Sequence, residues 1–163
     1  MWLRILLPTL LFSVATLVGG ADFDYDAYQP AKLSDVAKSL DVDPRADYWF
    51  AADYPRYHVQ ATFTGKVRPI DPGVRTFIES WIKTTGHPLA DIGMFKQQVE
   101  IKEDKQLYWM PIQEVLVAPF KKEVTVGGQV DLYVLLMGAY RRAPVFAVSE
   151  FDSAETTVVM SAK

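Results

Sequence analysis

Hydrophobic and polar positions change rhythm along this chain, and each change predicts an element. A largely apolar, uncharged run from Ile5 to Val18 follows Met1-Trp2-Leu3-Arg4. Up to Asp53, apolar residues are then scattered among aspartates, and a short helix is predicted at Leu33 to Leu40, where Leu33, Val36, Ala37 and Leu40 fall at helical spacing. From Arg56 the pattern alternates. Tyr57, Val59, Ala61 and Phe63 are separated by His58, Gln60, Thr62 and Thr64, the period of a half-buried strand. Gly65 marks a bend or bulge, and the strand is predicted to continue through Val67 toward Pro69.

A helical period takes over after Asp71. Val74, Phe77, Ile78, Trp81 and Ile82 fall at i, i+3, i+4, i+7 and i+8, one apolar stripe whose plainest role is to plug a core. Asp71 suits the N-cap, Pro72 the first helical position and Gly86 the C-terminal stop.

Strands are predicted again over Phe95 to Lys102 and Leu107 to Ile112, joined by a polar turn at Glu103-Asp104-Lys105. Pro111 argues for an edge position or a bulge. Gln113 to Lys122 reads as a short helix or an irregular crossing, with Pro119 against a long helix, and Val126-Gly127-Gly128-Gln129 as a turn. Val130 to Met137 is almost wholly apolar, as in a strand covered on both faces. Gly138 to Arg142 is expected to turn the chain, and Ala143 to Phe151 to return it. A further edge strand fits Thr157 to Met160.

About five strands in meander order, one amphipathic helix and no βαβ rhythm predict an α+β, mostly β fold. The version expected is a small OB-like antiparallel barrel preceded by an acidic N-terminal extension. The divisions are a signal peptide at 1–21, the extension at 22–53, a β-barrel-like domain at 54–152 and a tail at 153–163.

Composition sharpens the two ends of this picture. The Ile5 to Val18 run is fourteen residues, shorter than the roughly 20 a spanning helix needs. With the basic start and the small residues Gly19-Gly20-Ala21, it reads as an export signal cleaved near Gly20 or Ala21. The expected location is periplasmic or secreted, with membrane attachment only through an uncleaved signal. There is no cysteine, which excludes disulfides, a lipid-bearing cysteine and cysteine-zinc sites. Losing Arg4 with the signal takes the chain from 17 basic and 20 acidic residues to 16 against 20, a net of −4. Neither total nor segment shows the basic surplus of a nucleic-acid binder. Asp22-Phe23-Asp24-Tyr25-Asp26 alternates acid with aromatic, but its rings and missing glycine break the pattern of a calcium loop.

Motifs for chemistry are sparse. The sequence contains no G-x-S-x-G elbow, no H-E-x-x-H helix and no glycine-rich phosphate loop before a helix. No catalytic residue, metal ligand or cofactor is therefore assigned. Of the two histidines, His87 suits the C-terminal end of the helix, where its charge favours the dipole. His58 lies on the polar face of the first long strand with Gln60.

Aromatic residues outside the periodic stripes are the best partner contacts, because rings supply large contact area at low entropic cost. The residues proposed to meet a partner are Trp49, Tyr54, His58, Gln60 and Trp109. The function expected is an exported, non-catalytic binding or accessory module of the cell envelope, with a protein or a glycan as partner. Two alternatives remain: a small envelope hydrolase pairing His58 with a carboxylate within about 6 Å, close enough for a direct or water-bridged hydrogen bond, and a structural subunit of an envelope assembly.

Overall fold

The computed structural model describes residues 23–86 and 93–153. The signal segment, His87 and the strand expected at Thr157 to Met160 lie outside the described residues.

The fold is α+β and mostly sheet: seven strands in one sheet with three α helices. A 3-10 turn at Tyr25–Ala27 leads to β1 (Gln29–Pro30), α1 (Leu33–Ser39) and β2 (Tyr48–Phe50). The long strand β3 (Arg56–Pro69) precedes α2 (Pro72–Thr85). Then come β4 (Phe95–Glu103), β5 (Gln106–Gln113), α3 (Glu114–Glu123), β6 (Gln129–Tyr140) and β7 (Ala143–Ser153). Among the described residues no helix is long and apolar enough to cross a membrane.

Beside the amphipathic α2, the short helices read over Leu33 to Leu40 and Gln113 to Lys122 form as α1 and α3, while the roughly five strands expected are corrected to seven. The extra strands, β1 and β2, are two and three residues long, too short to carry a period. The segment that supplies them is not spent on solvent. Leu33, Val36 and Ala51 are buried in the main core with residues of every long strand.

β3 organises the sheet. Arg56 to Thr62 pair with β6, and Thr62 to Pro69 pair with β4, so Thr62 faces Gln129 on one side and Lys102 on the other. The handover needs a bend. Gly65 takes φ +90 inside the register shift between Phe63 and Val67, and a Cβ there would press on the Val126 side chain.

The pairings β3–β4, β4–β5, β5–β7, β7–β6 and β6–β3 form a circuit. It is not a uniform barrel, because β5 and β7 meet in parallel at one pair, Ile112↔Val148. The rest of that side of β5 carries no ladder to β7, and Pro111, with no N–H to give, sits there opposite Gln98. Phe120 of α3 stands edge-on to Phe63 and Phe151 at 5.0 Å from each, closing one end of the core.

α2 forms as the spacing predicts. The Asp71 carboxylate accepts from the N–H groups of Gly73 and Val74 at 2.9 and 3.1 Å, and Gly86 ends the helix at φ +77. Its stripe of Phe77, Ile78, Trp81 and Ile82 packs on Met137, Val145 and Ala147, a second core outside the strands. That is why the C-terminal half of β6, from Val134 to Ala139, is apolar on both faces. Fully burying each such side chain stabilises by about 1.5–3 kcal/mol.

The turn expected at Gly138 to Arg142 is narrower. β6 runs on through Gly138 to Tyr140, and only Arg141 and Arg142, at φ +48 and +69, make the hairpin turn. Gly138 serves a different need. β2 crosses there, and a Cβ would collide with the carbonyl oxygen of Trp49.

Candidate functional site: an aromatic and arginine groove beside the long strand

The groove begins with strained backbone. Asp53 and Tyr54 are consecutive non-glycine residues at φ +58 and +47, each costing about 1 kcal/mol or more. Their conformation turns the chain into β3 and lays the Tyr54 ring edge-on to Trp81 of α2 at 5.5 Å. Pro55 follows, and its carbonyl accepts from the Leu136 N–H at 2.9 Å, tying the bend to β6. Parallel pairing of β1 with Tyr57 and His58 holds the preceding Tyr28 alongside. The Arg56 guanidinium lies 6.0 Å from the Tyr28 ring centre.

Two concavities share Tyr54 and Arg56. One, of ≈ 420 Å³, continues past Gln29, Asp53 and Tyr57. The other, of ≈ 190 Å³, is walled by Tyr28, Trp81, Leu135 and Ser149. The first is a polar bay and the second an aromatic slot, with Arg56 between them. Among the described residues the Arg56 side chain has no hydrogen bond or ion pair, its contact being the Tyr28 ring.

Tyr28 also joins this groove to a second cluster. The Tyr133 ring is met by Phe23, Tyr25 and Tyr28 at 5.7, 4.9 and 5.5 Å. On its other side His58 stacks at 4.8 Å with 9° between the planes. The Tyr133 hydroxyl donates to Asp152 Oδ2 at 3.1 Å. Burial first, then the Asp152 charge and this hydrogen bond, push its pKa up to about 12. Tyr25 is raised in the same direction, by burial and then by Asp152 and Glu150.

His58 Nε2 lies 2.9 Å from Asp131 Oδ1, inside the reach an acid–base pair requires. Its surroundings are those of a clamp. One ring face is covered by Tyr133, and among the described residues no hydroxyl nucleophile bonds the imidazole.

The remaining residues expected at a site are dispersed. Gln60, farther along the outer face of β3, lines a third concavity of ≈ 430 Å³ with Lys32, Thr62, Lys102 and Gln129. Trp49 is half-buried in β2, pairing with Ala139 and packing on the main core. Trp109 is half-buried in β5, where the Arg68 guanidinium covers its ring at 3.9 Å and its carbonyl accepts from Gln98. The structure therefore places Tyr54 and His58 on adjoining clusters linked by Tyr28, with Gln60 beyond them and Trp49 and Trp109 elsewhere. Sequence reasoning missed Arg56, Tyr28, Tyr133 and Asp131, and took Trp81 for core alone.

Two buried carboxylates elsewhere have structural partners. Glu103 accepts from the Leu33 and Ser34 N–H groups at 2.7 and 2.9 Å. Glu100 is held below the usual carboxylate range by bonds from Lys66 and Thr64, at 3.0 and 2.8 Å. Among the described residues no group of three or more histidine and acidic side chains is arranged to hold a metal ion. No protein-family model and no curated protein matches this chain.

Proposed function

We propose that this protein is an exported, non-catalytic binding module of the cell envelope, whose partner, a protein or a glycan, docks in the Tyr54–Arg56 groove. The observation that carries the reading is the groove itself: three rings, Tyr28, Tyr54 and Trp81, around a guanidinium without a polar partner among the described residues. Strained backbone at Asp53 and Tyr54 is the kind of cost that persists where a side chain has to be aimed. Export rests on the basic, apolar and small-residue order of the first 21 residues.

An OB-like identity for the five-strand circuit is part of the same proposal. Its strand order, with α3 between the third and fourth members, suits such a unit. The N-terminal rings Phe23, Tyr25 and Tyr28 pack on Tyr133 of the protein's own sheet, which supports a free-standing module over an assembly strut.

Arrays of envelope glycans and envelope proteins, probed with the full chain and with Tyr54→Ala, test the reading. The variant is expected to lose roughly tenfold in affinity while staying folded at the assay temperature, its melting temperature lowered by the lost contact with Trp81. Equal binding by both forms would remove the groove from the function. Sequencing the N-terminus of the protein recovered from the periplasm or medium tests export, and an intact Met1 would refute cleavage.

A further inference from the structure

The groove asks for three chemistries within a short span, and one ligand class supplies them together. Arg56 offers planar guanidinium donors that are not engaged by any described side-chain acceptor. Such a fork selects a carboxylate or a similar oxyanion. Beside it, Asp53 and Gln29 line the polar bay, and neither makes a side-chain hydrogen bond with a described residue. A carboxylate accepts from hydroxyl groups but repels a second anion, so whatever meets Arg56 must also turn donors toward Asp53. On the far side, the rings of Tyr28 and Trp81 and the Leu135 side chain wall a mostly apolar slot, which Ser149 also lines. The ligand must therefore present an apolar face there.

From this, we infer that the groove binds an acidic saccharide. Its carboxylate-bearing ring pairs with Arg56, its hydroxyls bond Asp53 and Gln29, and the C–H face of a neighbouring ring lies in the Tyr28–Trp81 slot. A uronate ring combines carboxylate, hydroxyl donors and an apolar C–H face within one residue. An acidic peptide brings the carboxylate without a ring that carries both hydroxyl donors and an apolar C–H face. The inference rests on the binding-module reading and narrows it to one ligand chemistry.

The test is a titration of the full chain, by calorimetry and by amide and tryptophan side-chain NMR shifts. The probes are a short oligogalacturonate, its methyl ester, a neutral oligosaccharide of matched length and a glutamate-rich peptide. The oligogalacturonate is expected to shift signals of Tyr54, Arg56 and Trp81. Esterification and Arg56→Ala should each weaken it roughly 10- to 100-fold. Arg56→Lys, which keeps the charge and loses the fork, should fall between.

Equal affinity for the neutral sugar, with no effect of Arg56→Ala, overturns the acidic-sugar inference and leaves the groove reading standing. Tighter binding of the glutamate-rich peptide overturns it in favour of a protein partner. If no saccharide moves the groove signals, the inference fails. The binding-module reading itself fails only if a partner found on the arrays binds Tyr54→Ala as well as the parent.

Discussion

At the start of α2 the unpaired backbone N–H groups are met by Asp71, two and three residues away. At the start of α1 they are met by Glu103, 70 and 69 residues away. The chemistry is the same, a carboxylate accepting from the first turn, where the helix dipole also favours negative charge. The difference is the range over which the chain must organise itself. α2 has fourteen residues and a cap of its own. α1 has seven, and its N-cap position holds Lys32, whose side chain makes no cap bond. A helix that short is marginal alone. It exists because β4 delivers Glu103, 6% exposed, to its end, and because Leu33 is wholly buried beside it. One helix is written locally, and the other is a product of the tertiary fold.

Substitutions can break this contrast, and the largest effect is expected where α1 meets the core. Leu33→Ala should cost about 2–5 kcal/mol in urea unfolding. A loss below about 1 kcal/mol would show that α1 is an appendage. Glu103→Ala should cost about 2–3 kcal/mol, since it orphans two N–H groups that now bond a charge. Amide exchange should then rise in α1 while α2 keeps its protection, and uniform exchange across both helices would contradict the long-range cap. Asp71→Ala, removing a local cap, should cost about 1 kcal/mol, with Asp71→Ser recovering most of it.

The smallest effect at neutral pH is expected at Tyr133 of β6. Tyr133 titrates near 12 in the folded chain against an ordinary value of 10.0. Because burial raises it, folding resists ionisation of the hydroxyl: this titration leaves stability unchanged below pH 10 and lowers it as the pH climbs toward 12. Tyr133→Phe should therefore change little at pH 7 and flatten the alkaline limb of the stability profile. An unchanged alkaline slope would show that another group sets it.

This contrast also explains what the sequence made legible. α2 was readable because cap, stripe and stop all lie between Asp71 and Gly86. The alternation from Tyr57 to Phe63 revealed β3, and the apolar run from Val130 revealed β6. β1 and β2 carry no period, and Glu103 beside Asp104 and Lys105 looks like any polar hairpin residue. Gly138 read as a turn, because nothing local signals that β2 crosses a continuing strand there.

The candidate site divides in the same way. Tyr54 and His58 stood out as a ring and an imidazole outside any core stripe. Arg56 looks like any surface charge until its neighbours are known. Asp131 and Tyr133 reach His58 only through the β3–β6 register, in which His58 faces Tyr133 and Gln60 faces Asp131. Trp49 and Trp109 had the right chemistry for a partner, yet half of each is already occupied by its own chain.

The pairing of Ile112 with Val148 has a mechanical consequence. β3 is fastened to β6 by a run of paired residues from Arg56 to Thr62, and β4 to β5 by one from Phe95 to Glu103. Between β5 and β7 the circuit is held by one rung. A hoop closed by a single clasp parts at the clasp. The expected breathing mode swings β5 and the attached α3 outward while the rest of the sheet stays laced, and earlier amide exchange at the Ile112–Val148 seam than along β6 would register it.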